Sequence, residues 1–96
     1  MKVLAIASIK APLTPEQRQQ IMPQEVPATL KLYLNGTIEQ MWFRDQAGPV
    51  FLMNAESVAQ AKTAIDALPL MVADLATYEY MPLSPLMPLG MLIQGK

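Results

Sequence analysis

Two lysines, Lys2 and Lys10, bracket an apolar run whose Val3, Ile6 and Ile9 read as a short buried strand. Ala11-Pro12-Leu13 breaks the pattern as a loop. Thr14 then offers a helix N-cap, with Pro15 at the first helical position and Glu16-Gln17 in the first turn. The spacing predicts a helix over 15–22. Pro23 and Pro27 lack the backbone N–H that a helix interior uses, so a kink is expected there. A second helical run over 24–34 carries Leu30, Tyr33 and Leu34 at helical spacing, and Asn35-Gly36 is a stop signal.

Thr37, Ile38, Trp42 and Phe43 mark a second strand over 37–45, followed by a turn over 46–49 and a third strand over 50–53, paired as a hairpin. Asn54 is a candidate cap for a helix over 55–68, which places Val58, Ala61, Ile65 and Leu68 on one face. The segment 70–81 holds a last strand centred on 75–80. The order β-α-β-β-α-β predicts an α+β, ferredoxin-like chain with a four-stranded antiparallel sheet. Both helices then cover one face of the sheet. The strands, however, are apolar at both parities: Val3, Ala5 and Ala7 alternate with Leu4 and Ile6, and Phe51 and Met53 with Val50 and Leu52. Strands of this kind are covered on both sides, and the second cover expected is the sheet of a partner subunit.

Composition sharpens the expectation of assembly. The chain has 96 residues, enough for one domain, and is 52% apolar and 16% charged. Small chains are often helped by oligomerisation. Past the ferredoxin-like domain of residues 1–83, an apolar, proline-punctuated arm over 84–96 (Ser84-Pro85-Leu86-Met87-Pro88-Leu89-Gly90-Met91-Leu92-Ile93, then Gln94-Gly95-Lys96) is expected to bury itself against another copy of the chain. The eight methionines suit adaptable cores, interfaces or apolar ligand pockets. The net charge is −1 and the seven basic residues are scattered, so a phosphate-binding stripe is missing and nucleic acid is not an expected partner. Without Cys there is no thiolate nucleophile or thiolate metal site; without His the usual neutral-pH acid/base is gone. The Val3–Ile9 run is interrupted by Lys10 and lacks a small-x-small cleavage pattern, and no stretch reaches the ~20 apolar residues of a membrane span. A soluble cytoplasmic protein is the expectation.

Several short motifs carry a family likeness. Pro15-Glu16-Gln17, Gln24-Glu25, Gly36, Trp42, Ala55-Glu56-Ser57, Leu68-Pro69-Leu70 and Pro82-Leu83 together resemble muconolactone delta-isomerase, and the spacing from Glu16 to Gly36 to Trp42 fits without a gap. The resemblance implies a dimeric α+β barrel, in which two ferredoxin-like sheets pack face to face. It also implies a larger assembly of such dimers and movement of a proton around an unsaturated lactone without metal or organic cofactor. Against that family pattern the chain has Gln40 in place of a histidine, Ile6 in place of a first-strand arginine, Ser8 in place of a carboxylate and Glu39 in place of a basic residue.

Proton transfer beside a carbonyl needs a base, an acid and a group that stabilises the developing oxyanion. Alternation on the second strand groups Gln40, Trp42 and Arg44 on one face, and Glu39, Met41, Phe43 and Asp45 on the other. Trp42 could then wall an apolar pocket, Arg44 hold a ligand carboxylate and Gln40 donate to a carbonyl. The bland alternative is a core Trp42 and a solvated Arg44 at a strand end. Glu25, between two prolines and matching a family glutamate, is a candidate base; its alternative role is to favour the positive end of the second helical run. Glu39 is the second candidate base. Glu79, between Tyr78 and Tyr80, reads as a solvated or interface carboxylate. Two function classes remain: a cofactor-independent isomerase or related enzyme acting on a small unsaturated acid or lactone, and a non-catalytic barrel that binds an apolar small molecule or simply assembles. A cofactor-free monooxygenase is a third, weaker option.

Overall fold

The structure is a computed structural model and describes residues 2–45 and 47–84. Its elements run β1 (Lys2–Ile9), α1 (Pro15–Leu34), β2 (Ile38–Arg44), β3 (Gly48–Asn54), α2 (Val58–Asp66), α3 (Pro69–Val72) and β4 (Ala76–Leu83). The four strands form one antiparallel sheet in the order β2-β3-β1-β4, the ferredoxin-like order expected from the β-α-β-β-α-β pattern. Most of the expected arm, residues 85–96, lies outside the described residues.

α1 is a single helix of 20 residues, where a break was expected. Thr14 starts it with a full capping box: its hydroxyl accepts from Gln17 N–H, and the Gln17 side chain accepts from Thr14 N–H. Pro23 and Pro27 both sit on the exposed side, four residues apart, so the carbonyls they leave without an intrahelical donor face water. That placement lets the helix continue. The C-terminal stop is as expected: the Asn35 N–H bonds Lys31 O, and Gly36 follows with φ +85°.

The last third differs in detail. α2 is capped by Ser57, whose hydroxyl accepts from Gln60 N–H at 3.1 Å, and not by Asn54. Asn54 instead donates to Gly36 O at 2.9 Å, tying the end of β3 to the turn after α1. Leu70, expected in the last strand, belongs to the short helix α3, and β4 begins at Ala76 after a turn in which Asp74 takes φ +58°.

The helices cover one face of the sheet, α1 against β2 and α2 against β1 and β4. The core lies beneath them: Val3, Ala5, Phe51 and Met53 from the central strands and Ile38 from β2 pack with Ala61, Ile65 and Leu68. The opposite parity of the same strands, including Leu4, Ile6, Val50 and Leu52, forms a face that no element among the described residues covers.

Candidate functional site

Between α1 and the helix-covered face of the sheet lies a cavity of about 490 Å³. Met22, Glu25, Val26, Thr29 and Leu30 contribute from α1, recurring at the spacing of one helix face. Ile9, Met41, Phe43, Pro49 and Phe51 contribute from the sheet, Trp42 from the free edge of β2, and Leu70 from α3. The lining is almost wholly apolar. Among the described residues its one ionisable side chain is Glu25, and Trp42 carries its one side-chain N–H.

Glu25 is 6% exposed and is the only buried polar or charged residue among those described. A carboxylate taken out of water needs hydrogen bonds. Glu25 has two: Leu70 N–H donates to Oε1 at 2.9 Å, and the Thr29 hydroxyl donates to Oε2 at 3.2 Å. Leu70 is in the first turn of α3, where the backbone N–H has no intrahelical partner, so the carboxylate fills a position the short helix leaves open. Thr29 lies one turn beyond Glu25 on α1 and steadies the second oxygen. The Leu-Pro-Leu motif and Glu25, 45 residues apart in sequence, are thus joined at one point.

Tyr78, on the core side of β4 opposite Ala7, stacks on the cavity residue Phe51 with ring centroids 6.1 Å apart, and on Tyr80 at 6.2 Å. Its phenol is pushed well above the ordinary tyrosine range, first by burial, then by the Glu25 carboxylate and by Tyr80. Tyr78 therefore stays a neutral phenol close enough to Glu25 to feel its charge. Sequence reasoning passed over it; its signal was the parity that sets Tyr78 and Tyr80 apart from Glu79, read there as two flanks of a carboxylate and not as core.

Of the residues proposed from the sequence, Glu25 and Trp42 meet at this cavity. The others are placed elsewhere. A register shift between Ile38 and Gln40 makes Glu39 the extra residue of a β-bulge, where its carboxylate pairs with Lys2; both side chains are exposed. The bulge switches parity, so Ile38 is core while Gln40, opposite Leu52, faces the uncovered side. Arg44 lies opposite Gly48 and donates from Nη2 to Ala7 O at 2.6 Å, reaching over the side-chain-free Gly48. Neither Gln40 nor Arg44 lines the cavity, which belongs to the Met41 and Phe43 side of β2.

No family model matches the sequence, and no curated protein matches it by sequence. Solved structures share the fold. Muconolactone isomerase matches with a TM-score of 0.72 at 20% identity, over 90% of this chain and 93% of that one. The 5-chloro-2-hydroxyhydroquinone dehydrochlorinase TftG from Burkholderia phenoliruptrix AC1100, in complex with 2,5-dihydroxybenzoquinone, matches with a TM-score of 0.70 at 16% identity, over 88% of this chain and 94% of that one. At such identities the likeness establishes the fold, and it agrees with the resemblance read from the residues.

Proposed function

We propose that this chain is a muconolactone isomerase-like, cofactor-independent enzyme that moves a proton within a small unsaturated acid or lactone, with Glu25 as the base. The observation that supports this most is a single buried carboxylate in the wall of an otherwise apolar cavity of about 490 Å³, within the ordinary range of small-molecule sites. TftG, of the same fold, was solved with a flat oxygenated ring, a ligand of the size such a cavity accepts.

In this reading the substrate ring lies between α1 and the sheet, with Met41, Phe43 and Phe51 against it and Trp42 at the edge. A Glu25 carboxylate oxygen takes the proton from a carbon next to the carbonyl, and the C–H electrons pass into the conjugated system as a dienolate. The same carboxyl group returns the proton to the far end of that system, shifting the double bond; no proton or electron is left over. Leu70 N–H and Thr29 hold the carboxylate in place during both steps, so orientation does not have to be recovered in each turnover. Between the two steps the carboxyl proton exchanges with solvent, so in D₂O deuterium reaches carbon. The chain works as a cytoplasmic homo-oligomer, with Leu4, Ile6, Val50 and Leu52 of the uncovered face against a second copy and the arm over 84–96 adding to the contact.

One observation favours a second reading, a non-catalytic binder or assembly protein: both Glu25 oxygens are already engaged, so the residue could serve α3 alone. Muconolactone isomerisation followed by proton NMR separates the two. Turnover by the native chain that is lost in Glu25→Gln supports the enzyme; no turnover by a folded native chain removes it.

A further inference from the structure

A second cavity, of about 620 Å³, lies where the Ala11-Pro12-Leu13 loop, the start of α1 and the end of β2 come together; Glu25 does not line it. Ile9, Leu13 and Met22 give it an apolar wall. Three charged side chains line it as well: Lys10, Arg18 and Asp45. Each is placed by the local structure that precedes it. Lys10 follows β1, and its ammonium is held by Asp74 at 2.6 Å. Arg18 stands in the first turn of α1, which the Thr14 capping box fixes. Asp45 follows directly on β2.

With Lys10 already paired, one charge of each sign is left. Neither Arg18 nor Asp45 has an ion pair among the described residues, and the two do not pair with each other. A monoanion drawn to Arg18 would meet the Asp45 carboxylate, and a monocation drawn to Asp45 would meet the guanidinium. A ligand that carries both charges and is neutral overall pairs with both and leaves no charge uncompensated. The distribution of charge within the ligand follows from the wall. An α-amino acid holds its carboxylate and ammonium on one carbon and leaves its other end free for apolar contact. A zwitterion with its charges at opposite ends would have to bring its apolar middle, not an end, to that wall.

We propose that this second cavity binds an apolar zwitterion, an aliphatic α-amino acid, with its carboxylate on Arg18, its ammonium on Asp45 and its side chain against Ile9, Leu13 and Met22. The carboxylate then lies toward the N-terminal end of α1, where the helix dipole favours an anion. The inference does not depend on proton transfer at Glu25. Arg18 and Asp45 are both exposed, so each ion pair with the ligand is screened by water and worth about fivefold in affinity at most.

Isothermal titration calorimetry of the full chain tests this with three probes of one shape: leucine, 4-methylpentanoate, which lacks the ammonium, and 3-methylbutan-1-amine, which lacks the carboxylate. Leucine is expected to bind up to about fivefold more tightly than either of the others. Two variants assign the contacts. Arg18→Gln should bring leucine down to the affinity of the amine, and Asp45→Asn should bring it down to that of 4-methylpentanoate. Both changes are at exposed positions, Gln is a good helix former, and a thermal melt by circular dichroism checks each fold. Failure of the folded native chain to bind leucine would overturn the proposal. So would leucine binding no better than either singly charged probe, or its advantage surviving in the matching variant. Turnover at Glu25 can be present or absent in every one of these outcomes, so the two readings stand or fall separately.

Discussion

Tyr80 ends in a hydroxyl that is buried with no hydrogen-bond partner among the described residues. An orphaned buried hydroxyl costs its desolvation without return, so Tyr80→Phe should stabilise the fold by about 1 kcal/mol in urea denaturation. The same residue sets an alkaline limit. Burial, helped by Asp66, pushes its phenol from 10 up to about 12 in the folded chain. The unfolded chain loses this proton first, so the contribution of Tyr80 to stability is fully present below pH 10. It declines as pH rises from there through about 12, and Tyr78, raised for the same reason, adds to the decline. The urea midpoint of the native chain should fall over that range, and in Tyr80→Phe it should fall less steeply. Glu25 is the counter-example at this scale: a buried carboxylate, it has a donor for each oxygen.

The elements that position the cavity depend on places where regular structure gives way. Gly48 opens β3 with φ +116°, and a Cβ there would come within 3.2 Å of both Ala7 Cβ and Ile9 Cγ1. Gly36, with φ +85°, has open space around it. Both positions strain an L-residue, but only Gly48 adds a clash beside two cavity elements. Gly48→Ala should therefore cost about 1–2 kcal/mol more than Gly36→Ala in chemical denaturation. These local departures also explain what could be read in advance. The strands and α1's cap were legible because alternation and Thr14-Pro15 are local signals. Pro23 and Pro27 misled because a proline's cost depends on which side of the helix its freed carbonyl faces, which tertiary packing decides. The grouping of Gln40, Trp42 and Arg44 on one face of β2 holds, since they lie opposite Leu52, Val50 and Gly48; the bulge at Glu39, which leaves no mark in composition, sets that face opposite to the core residue Ile38. Glu25 was visible as a candidate, but its partner Leu70 was not, since α3 hid within the expected last strand.

At the scale of the whole molecule, the described residues cover the sheet on one side only. Leu4, Ile6, Val50 and Leu52 are half-buried on the other side, and Met81 and Leu83 of β4 are exposed beside them. Among the described residues no helix is long and apolar enough to cross a membrane. If a second copy covers this face, Ile6→Lys should halve the molar mass by light scattering while circular dichroism still shows folded chain; an unchanged mass would exclude that face as the contact. Deleting residues 84–96 should likewise give a smaller or aggregating species. The Glu25 cavity lies between α1 and the sheet, on the helix side, so disassembly and loss of ligand binding are separable. The claim on which the rest depends is that Glu25 transfers a proton to and from carbon. Incorporation of deuterium from D₂O into muconolactone, followed by NMR, reads that step itself. The native chain should exchange a carbon-bound proton, and Glu25→Gln, which keeps the shape of the side chain and an oxygen to accept from Leu70 N–H, should do so at least a hundredfold more slowly. Undiminished exchange in the variant, or none in the folded native chain, would contradict it.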